Sequence, residues 1–208
     1  MSQVTLSELP AYWKTRKHDK VLTFYRQYGT LGCLSNFYKH KPHRFELPEC
    51  VNQTGGIDTL RAAGVCTTAI VSFSEKSLML CKACLFKDVQ SFREILTRKT
   101  PFQCKQIGRQ VLGFEFKIWE SVILEVAESI LYQKFSSDQK LCNKLLATGD
   151  AVLAESSGRD KLWGTGLDID DPDATDVSKW TGLNVLGYSL MRVRETLRNE
   201  SSLFFKAK

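Results

Sequence analysis

A β-branched run, Thr67 to Phe73, passes without a break into Ser74–Lys87, SEKSLMLCKACLFK, and this stretch constrains the chain more than any other. The first half reads as a strand. Nothing in the second half breaks a helix, and its apolar residues recur at spacings of three, four and seven. At about 100° per residue, Leu78, Met79, Leu85 and Phe86 share an arc about 120° wide. Glu75 and Lys82 fall inside that arc, while Lys76, Ser77, Cys84 and Lys87 fall outside it. The spacing predicts a helix whose inward side carries one carboxylate and one amine, about 10 Å apart along the axis. Inward charges need partners or a polar cavity, because burying one bare costs several kcal/mol. The helix alone leaves both options open.

The rest of the chain reads as short strands among mainly helical runs, an α+β domain with a small sheet. Up to about residue 22 the chain is an irregular, basic lead-in, with Val21–Tyr25 strand-like at its end. From Lys39 to Gly64 the composition turns to Pro, Gly, His and Asn, which predicts hairpins or a long excursion. Thr100-Pro101 is a cap followed by a first-turn proline, opening a short helix with Lys105 and Arg109 on one face. The longest helix is expected from about Phe116 to Phe135, with Trp119, Val122, Ile123, Val126, Ile130 and Leu131 as its core stripe. Ser137 and Asp138 look like the cap of a helix ending near Thr148-Gly149. Ala151–Ala154 reads as a strand, followed by a polar glycine-bearing loop from Glu155 to Gly166 and an acidic turn. Leu183, Leu186, Leu190, Val193 and Leu197 mark a last helix, and residues 199–208 a basic tail.

Composition limits the partners. With 208 residues and 43% hydrophobic content, the core needs no disulfide or metal. No apolar run approaches about 18 residues, so no membrane span is expected, and the N-terminus lacks the layout of a secretory signal. Seven cysteines, an odd number, fit free thiols in a reducing compartment, an intracellular chain of cytoplasm or nucleus. A net charge of +6 leans toward phosphates, nucleotides or nucleic acid. Cys81-Lys-Ala-Cys84 lacks a second pair at zinc spacing, the acidic turn Asp168–Asp176 lacks the Gly and Glu of a calcium loop, and Gly164-Thr-Gly166 lacks a strand–helix context. No metal or cofactor is expected. His18, His40 and His43 form no helical pair and receive no role.

Taken together, the blocks are more specific than any one of them. They are Phe24-Tyr25; Leu34-Ser-Asn-Phe37; Ser74-Glu75 with Lys82; Ile107-Gly-Arg109; Trp119-Glu120; Lys134-Phe135; Leu145-Leu-Ala-Thr-Gly-Asp150; Glu155; Asp160-x-x-Trp163-Gly164; and Gly182-x-Asn184-x-x-Gly187. In this order the chain resembles the NADAR, or YbiA-like, family over about residues 23–198, with a segment at about 39–71 longer than the family's hairpin. That segment reads as a surface insertion or a substrate-shaping lid. The resemblance implies N-glycosidic bond cleavage, acting either on early riboflavin-pathway intermediates or on ADP-ribose joined to guanine in nucleic acid. It implies Glu75 and Lys82 as catalytic residues. One departure stands out: where the family has an aromatic pair after the glutamate, this chain has Lys76-Ser77.

On that resemblance, Lys82 is expected as a nucleophile whose amine is kept neutral by Leu78, Leu85, Phe86 and a cation such as Arg109. An imine would form at the anomeric carbon, with Glu75 moving protons. The competing mechanism has Glu75 activate water directly. Asp160 is expected to hold ribose hydroxyls, to act as a second acid/base, or only to cap its turn. Trp119 and Trp163 are candidate stacking platforms or core aromatics; Arg109 and Lys134 are candidate diphosphate contacts. Ser35, Asn36, Glu155, Gly164 and Asn184 complete the expected substrate site, Asn184 alternatively capping the final helix. The favoured substrate is an ADP-ribosylated guanine of DNA or RNA. A riboflavin-intermediate N-glycosidase and a silent ADP-ribose-binding module are the alternatives.

Overall fold

No strand among the described residues exceeds four residues, and the strands pair only in twos. The computed structural model describes residues 4–15 and 20–206. The chain divides into two compact units, one made of residues up to Ser35 and from Phe135 onward, the other of Asn36–Lys134.

In the first unit, β1 (Val21–Phe24) pairs in parallel with β4 (Val152–Glu155), Val21 opposite Val152 and Phe24 opposite Glu155. Helix α9 (Val185–Lys206) packs on β4. It comes so close that a Cβ on Gly187 would collide with the Leu153 carbonyl. Helix α8 (Gln139–Leu146) starts as its cap predicts: the Asp138 carboxylate accepts from the backbone N–H of Lys140 at 2.8 Å and of Leu141 at 3.3 Å. Gly149 then takes a left-handed φ of 60° just past the helix end.

The lead-in is more ordered than its composition implies. A 3-10 turn (Leu6–Glu8) and α1 (Leu9–Thr15) bury Leu6, Leu9 and Trp13, whose spacing of three and four is helical. The Trp13 indole donates to the Leu183 carbonyl at 2.9 Å. His18 and residues 207–208 lie outside the described residues, and α9 continues as helix through most of the expected tail.

In the second unit, β2 (His43–Glu46) pairs antiparallel with β3 (Thr68–Val71). Between them run a 3-10 turn (Glu49–Asn52) and α2 (Gly56–Ala62). Phe45, Val51, Ile57 and Leu60 are buried. The segment 39–71 is therefore neither a hairpin pair nor a surface excursion: it supplies core. Gly55 and Gly56 open a helix there rather than a turn, and the sulfur and backbone of Cys84 leave no room for a Cβ on Gly56.

β3 leads into α3 (Ser74–Leu85), packed by α2, α4 (Val89–Thr97) and α5 (Pro101–Gly108). Every residue of α3 is buried except Lys82, which is half-buried. This corrects the expectation of one inward face: Lys76, Ser77 and Cys84 are enclosed as well, because neighbours surround the helix on all sides. Lys76 finds its partner in the Leu96 carbonyl, 2.8 Å away. Helix α4 had no counterpart in the sequence reading; Asp88 caps it by accepting from Ser91 N–H and also accepts from Leu112 N–H. The expected long helix from Phe116 is interrupted. It forms α6 (Phe116–Glu120), then a turn at Ser121-Val122, then α7 (Ile123–Ser136). The Ser121 hydroxyl bonding back to the Ile118 carbonyl marks the break. The longest helix is α9. No helix among the described residues is long and apolar enough to cross a membrane.

Candidate functional site

α3 begins straight from extended Phe73, so Glu75 sits in the first helical turn, where the helix dipole favours a carboxylate. Its backbone N–H donates to the Asn36 carbonyl at 3.0 Å, tying the Leu-Ser-Asn-Phe segment to the helix start. The side chain is only 3% exposed. Its charge reaches α5: burial pushes the Cys104 thiol up to about 11, and Glu75 adds to that rise.

Lys82, two turns further on, has a different setting. Its Nζ donates to the Gly108 carbonyl at 2.8 Å and lies 3.9 Å from the centre of the Phe114 ring. Phe114 in turn meets Phe86 edge-on at 5.2 Å. Among the described residues no carboxylate pairs with Lys82. Burial among these rings holds its ammonium below the ordinary lysine range. Arg109, exposed at the end of α5, is not the cause of that shift, contrary to expectation. An amine that donates one N–H to a carbonyl keeps its lone pair available once it loses the extra proton. Gly108 allows the contact: a Cβ there would run into the Met79 sulfur.

The other expected residues of this unit sit as follows. Lys134 is fully buried in α7, 5.9 Å from the Tyr38 ring centre. It also lies near His43, whose imidazole is held below its ordinary range by burial and by the Lys134 charge. Trp119 is buried on α6. Lys105 is half-buried over Phe37, 5.6 Å from its ring centre.

A second group gathers at the end of β4 in the first unit. The Asn184 side chain accepts from Glu155 N–H at 3.0 Å and donates to the Leu153 carbonyl at 2.9 Å. These are two of the backbone groups on the edge of the strand that faces away from β1, so one buried amide takes part of the place of a third strand. Asn184 stands at the N-cap position of α9, its carbonyl accepting from Tyr188 N–H at 3.0 Å, but its side chain serves β4 instead of the helix; it is fully buried with a left-handed φ of 50°. The Glu155 carbonyl accepts from Thr165 N–H at 2.8 Å, leaving its half-buried side chain at the strand end. The Asp160 carboxylate accepts from Trp163 N–H at 3.0 Å, the turn-capping arrangement. Both Asp160 and Trp163 are half-buried. Gly164 threads between the Glu155 and Asp160 carbonyls, 2.7 and 2.9 Å from where a Cβ would lie. Ser35 is buried at the end of a 3-10 turn (Gly32–Leu34).

Sequence reasoning missed Phe114, which stands in a glycine-bearing loop with no periodicity to betray it. It also missed the strand-like pairing of Asn184. A separate open cleft of about 390 Å³, lined by Trp13, Lys14, Asp176 and Ser178 among others, contains none of the expected site residues. No group of three or more His, Cys, Asp or Glu among the described residues is placed to hold a metal. Cys81 and Cys84 are buried free thiols, and burial pushes Cys84 up to about 12.

These features define an α+β protein that keeps a buried carboxylate and a half-buried amine, held below the ordinary lysine range by burial, on one core helix. The chain belongs to the NADAR domain family, whose model matches residues 23–198. An N-glycosidase of Acanthamoeba polyphaga mimivirus is 34% identical over 122 residues, 59% of this chain and 72% of that protein. A riboflavin biosynthesis protein of Vibrio vulnificus is 32% identical over 116 residues, 56% of this chain but only 29% of that longer protein. The NMR structure of Escherichia coli YbiA aligns over 89% of both chains with a TM-score of 0.62 and 27% identity.

Proposed function

We propose that this chain is an N-glycoside hydrolase that removes ADP-ribose from guanine bases of nucleic acid. The observation that carries the reading is the pairing on α3 of buried Glu75 with Lys82, whose amine burial pushes toward its neutral form. A neutral Lys82 attacks the anomeric carbon as the bond to the base nitrogen breaks and the base leaves with a proton. Ring opening protonates the ribose ring oxygen and leaves an imine on Lys82. Water then adds, the amine is expelled, and the sugar recloses. Glu75 supplies and removes the protons. In the other mechanism Glu75 activates water directly and Lys82 only contacts the sugar or a phosphate. The mimivirus relative, named an N-glycosidase, supports the bond type. The net charge of +6 supports a diphosphate-bearing substrate.

A second reading, hydrolysis of riboflavin-pathway intermediates, draws on the name of the Vibrio relative. The test offers both an ADP-ribosylated guanine oligonucleotide and the pyrimidine intermediate, with borohydride present during turnover. Release of ADP-ribose and a reduced sugar adduct on Lys82 are expected. Cleavage of the pyrimidine intermediate alone overturns the substrate. Tight ADP-ribose binding without turnover of either, unchanged by Glu75→Ala, means a binding module. Turnover with no trappable adduct on Lys82 selects activated water.

A further inference from the structure

Among the described residues, seven large apolar side chains stand exposed, and four of them fall between positions 102 and 116: Phe102 at 62%, Leu112 at 72%, Phe114 at 41% and Phe116 at 48%. The same stretch is strongly basic. From Arg98 to Lys117 it carries Arg98, Lys99, Lys105, Arg109 and Lys117 against a single acid, Glu115. Helix α5 turns Phe102, Gln106 and Arg109, spaced four and three, along one solvent-facing line. The loop after it returns at Phe114, which lies on the Lys82 amine beside the last carbonyl of α5. Phe102 stands about 9 Å along the helix from that end. Exposed rings this dense mark an interaction surface. Rings interleaved with cations fit bases that stack and a phosphate backbone that is neutralised alongside.

We infer that the solvent face of α5, the Leu112–Glu115 loop and Phe116 at the start of α6 form a docking surface for single-stranded nucleic acid that leads to Lys82. The inference rests on the proposed activity for its purpose, though not for its test. Charge favours this occupant: Arg98 is paired with Glu94 at 3.4 Å, but Lys99, Lys105, Arg109 and Lys117 still stand against the one acid Glu115, a balance that a polyanion neutralises. It also bears on the missing aromatic pair after Glu75. Lys76 and Ser77 are buried in the core, so the ring beside the amine is Phe114, 3.9 Å from Lys82 Nζ.

The test measures anisotropy of a labelled single-stranded 20-mer, titrated with the full chain at several salt concentrations, against the duplex of the same sequence. Two double variants, Phe102→Ser/Phe116→Ser and Lys99→Glu/Lys117→Glu, keep Lys82, Glu75 and Phe114 intact, and melting curves confirm their fold. The parent is expected to bind the single strand more tightly than the duplex. Each double variant should lose tenfold or more, and the charge variant should also flatten the salt dependence. Cleavage of a mononucleotide N-glycoside should stay as in the parent. No binding by the parent, or equal binding by folded variants, overturns the inference. Self-association of the parent abolished by Phe102→Ser/Phe116→Ser, without oligonucleotide binding, assigns the face to a second copy instead. Oligonucleotide binding without any glycoside cleavage leaves the surface standing and defeats only the proposed activity.

Discussion

Lys82 Nζ rests 3.9 Å from the centre of the Phe114 ring while donating to the Gly108 carbonyl at 2.8 Å. Burial favours the neutral amine, whereas the ring face favours the cation by about 0.5–2 kcal/mol. Phe114→Leu keeps hydrocarbon at the site and removes the ring's pull. The lysine pKa then falls. If Lys82 attacks as a free amine, activity rises as pH climbs through that pKa, so the acid limb of kcat/KM moves to lower pH. The expected displacement is about half a unit, one unit corresponding to about 1.4 kcal/mol. A pH–rate profile of parent and variant checks it; a limb that stays put detaches Lys82 from the rate.

Glu75 lies in the first turn of α3 and is almost wholly enclosed. Glu75→Gln preserves volume and hydrogen-bonding capacity while removing the transferable proton. We expect kcat to fall by roughly 10²–10⁴, the usual share of a general acid or base. The melting temperature should stay within a few degrees of the parent. A variant that retains full turnover removes Glu75 from the chemistry.

Asn184 bonds both the Leu153 carbonyl and the Glu155 N–H. Asn184→Ala orphans two buried backbone groups at about 1–3 kcal/mol each. Asn184→Asp replaces the donating amide with an oxygen facing the Leu153 carbonyl. It should destabilise at least as much as alanine. Urea unfolding ranks the two; an aspartate variant as stable as the parent contradicts the assignment.

Cys66 is exposed, and its thiol is drawn below the usual range by hydrogen bonds from Thr68. Cys81, Cys84 and Cys104 are buried, with burial raising all three thiols. Under native conditions iodoacetamide should label Cys66 first, and the Cys81/Cys84 pair only on unfolding. Peptide mapping over time reads the order. Early modification of Cys81 or Cys84 shows that α3 opens far more readily than its packing implies.

What the sequence revealed was whatever repeats along a helix or strand. α3, α5, α8, α9 and the strands at Val21, Thr68 and Val152 carry periodicity, caps or β-branched runs, and they form within a few residues of the expected positions. The full enclosure of α3 was hidden, because it depends on α2 and α4, and the Pro/Gly-rich composition around α2 read as loop. Glu75 and Lys82 were legible as charges on an apolar helix. Phe114 was not, since only the folded loop carries it onto the amine. Asn184 was hidden for a similar reason: its partners are on a strand some thirty positions earlier, and no local pattern encodes a side chain taking part of the place of a strand.

The parallel ladder of β1 and β4 joins Val21 to Val152, and the whole of Asn36–Lys134 lies between them in sequence. Synthesis from the N-terminus completes that interior stretch as one uninterrupted piece while β1 still has nothing to align with. Vectorial folding thus favours the Glu75–Lys82 helix and its surroundings first. The outer unit, waiting on its last seventy or so residues, closes a loop whose entropy rises only slowly with length.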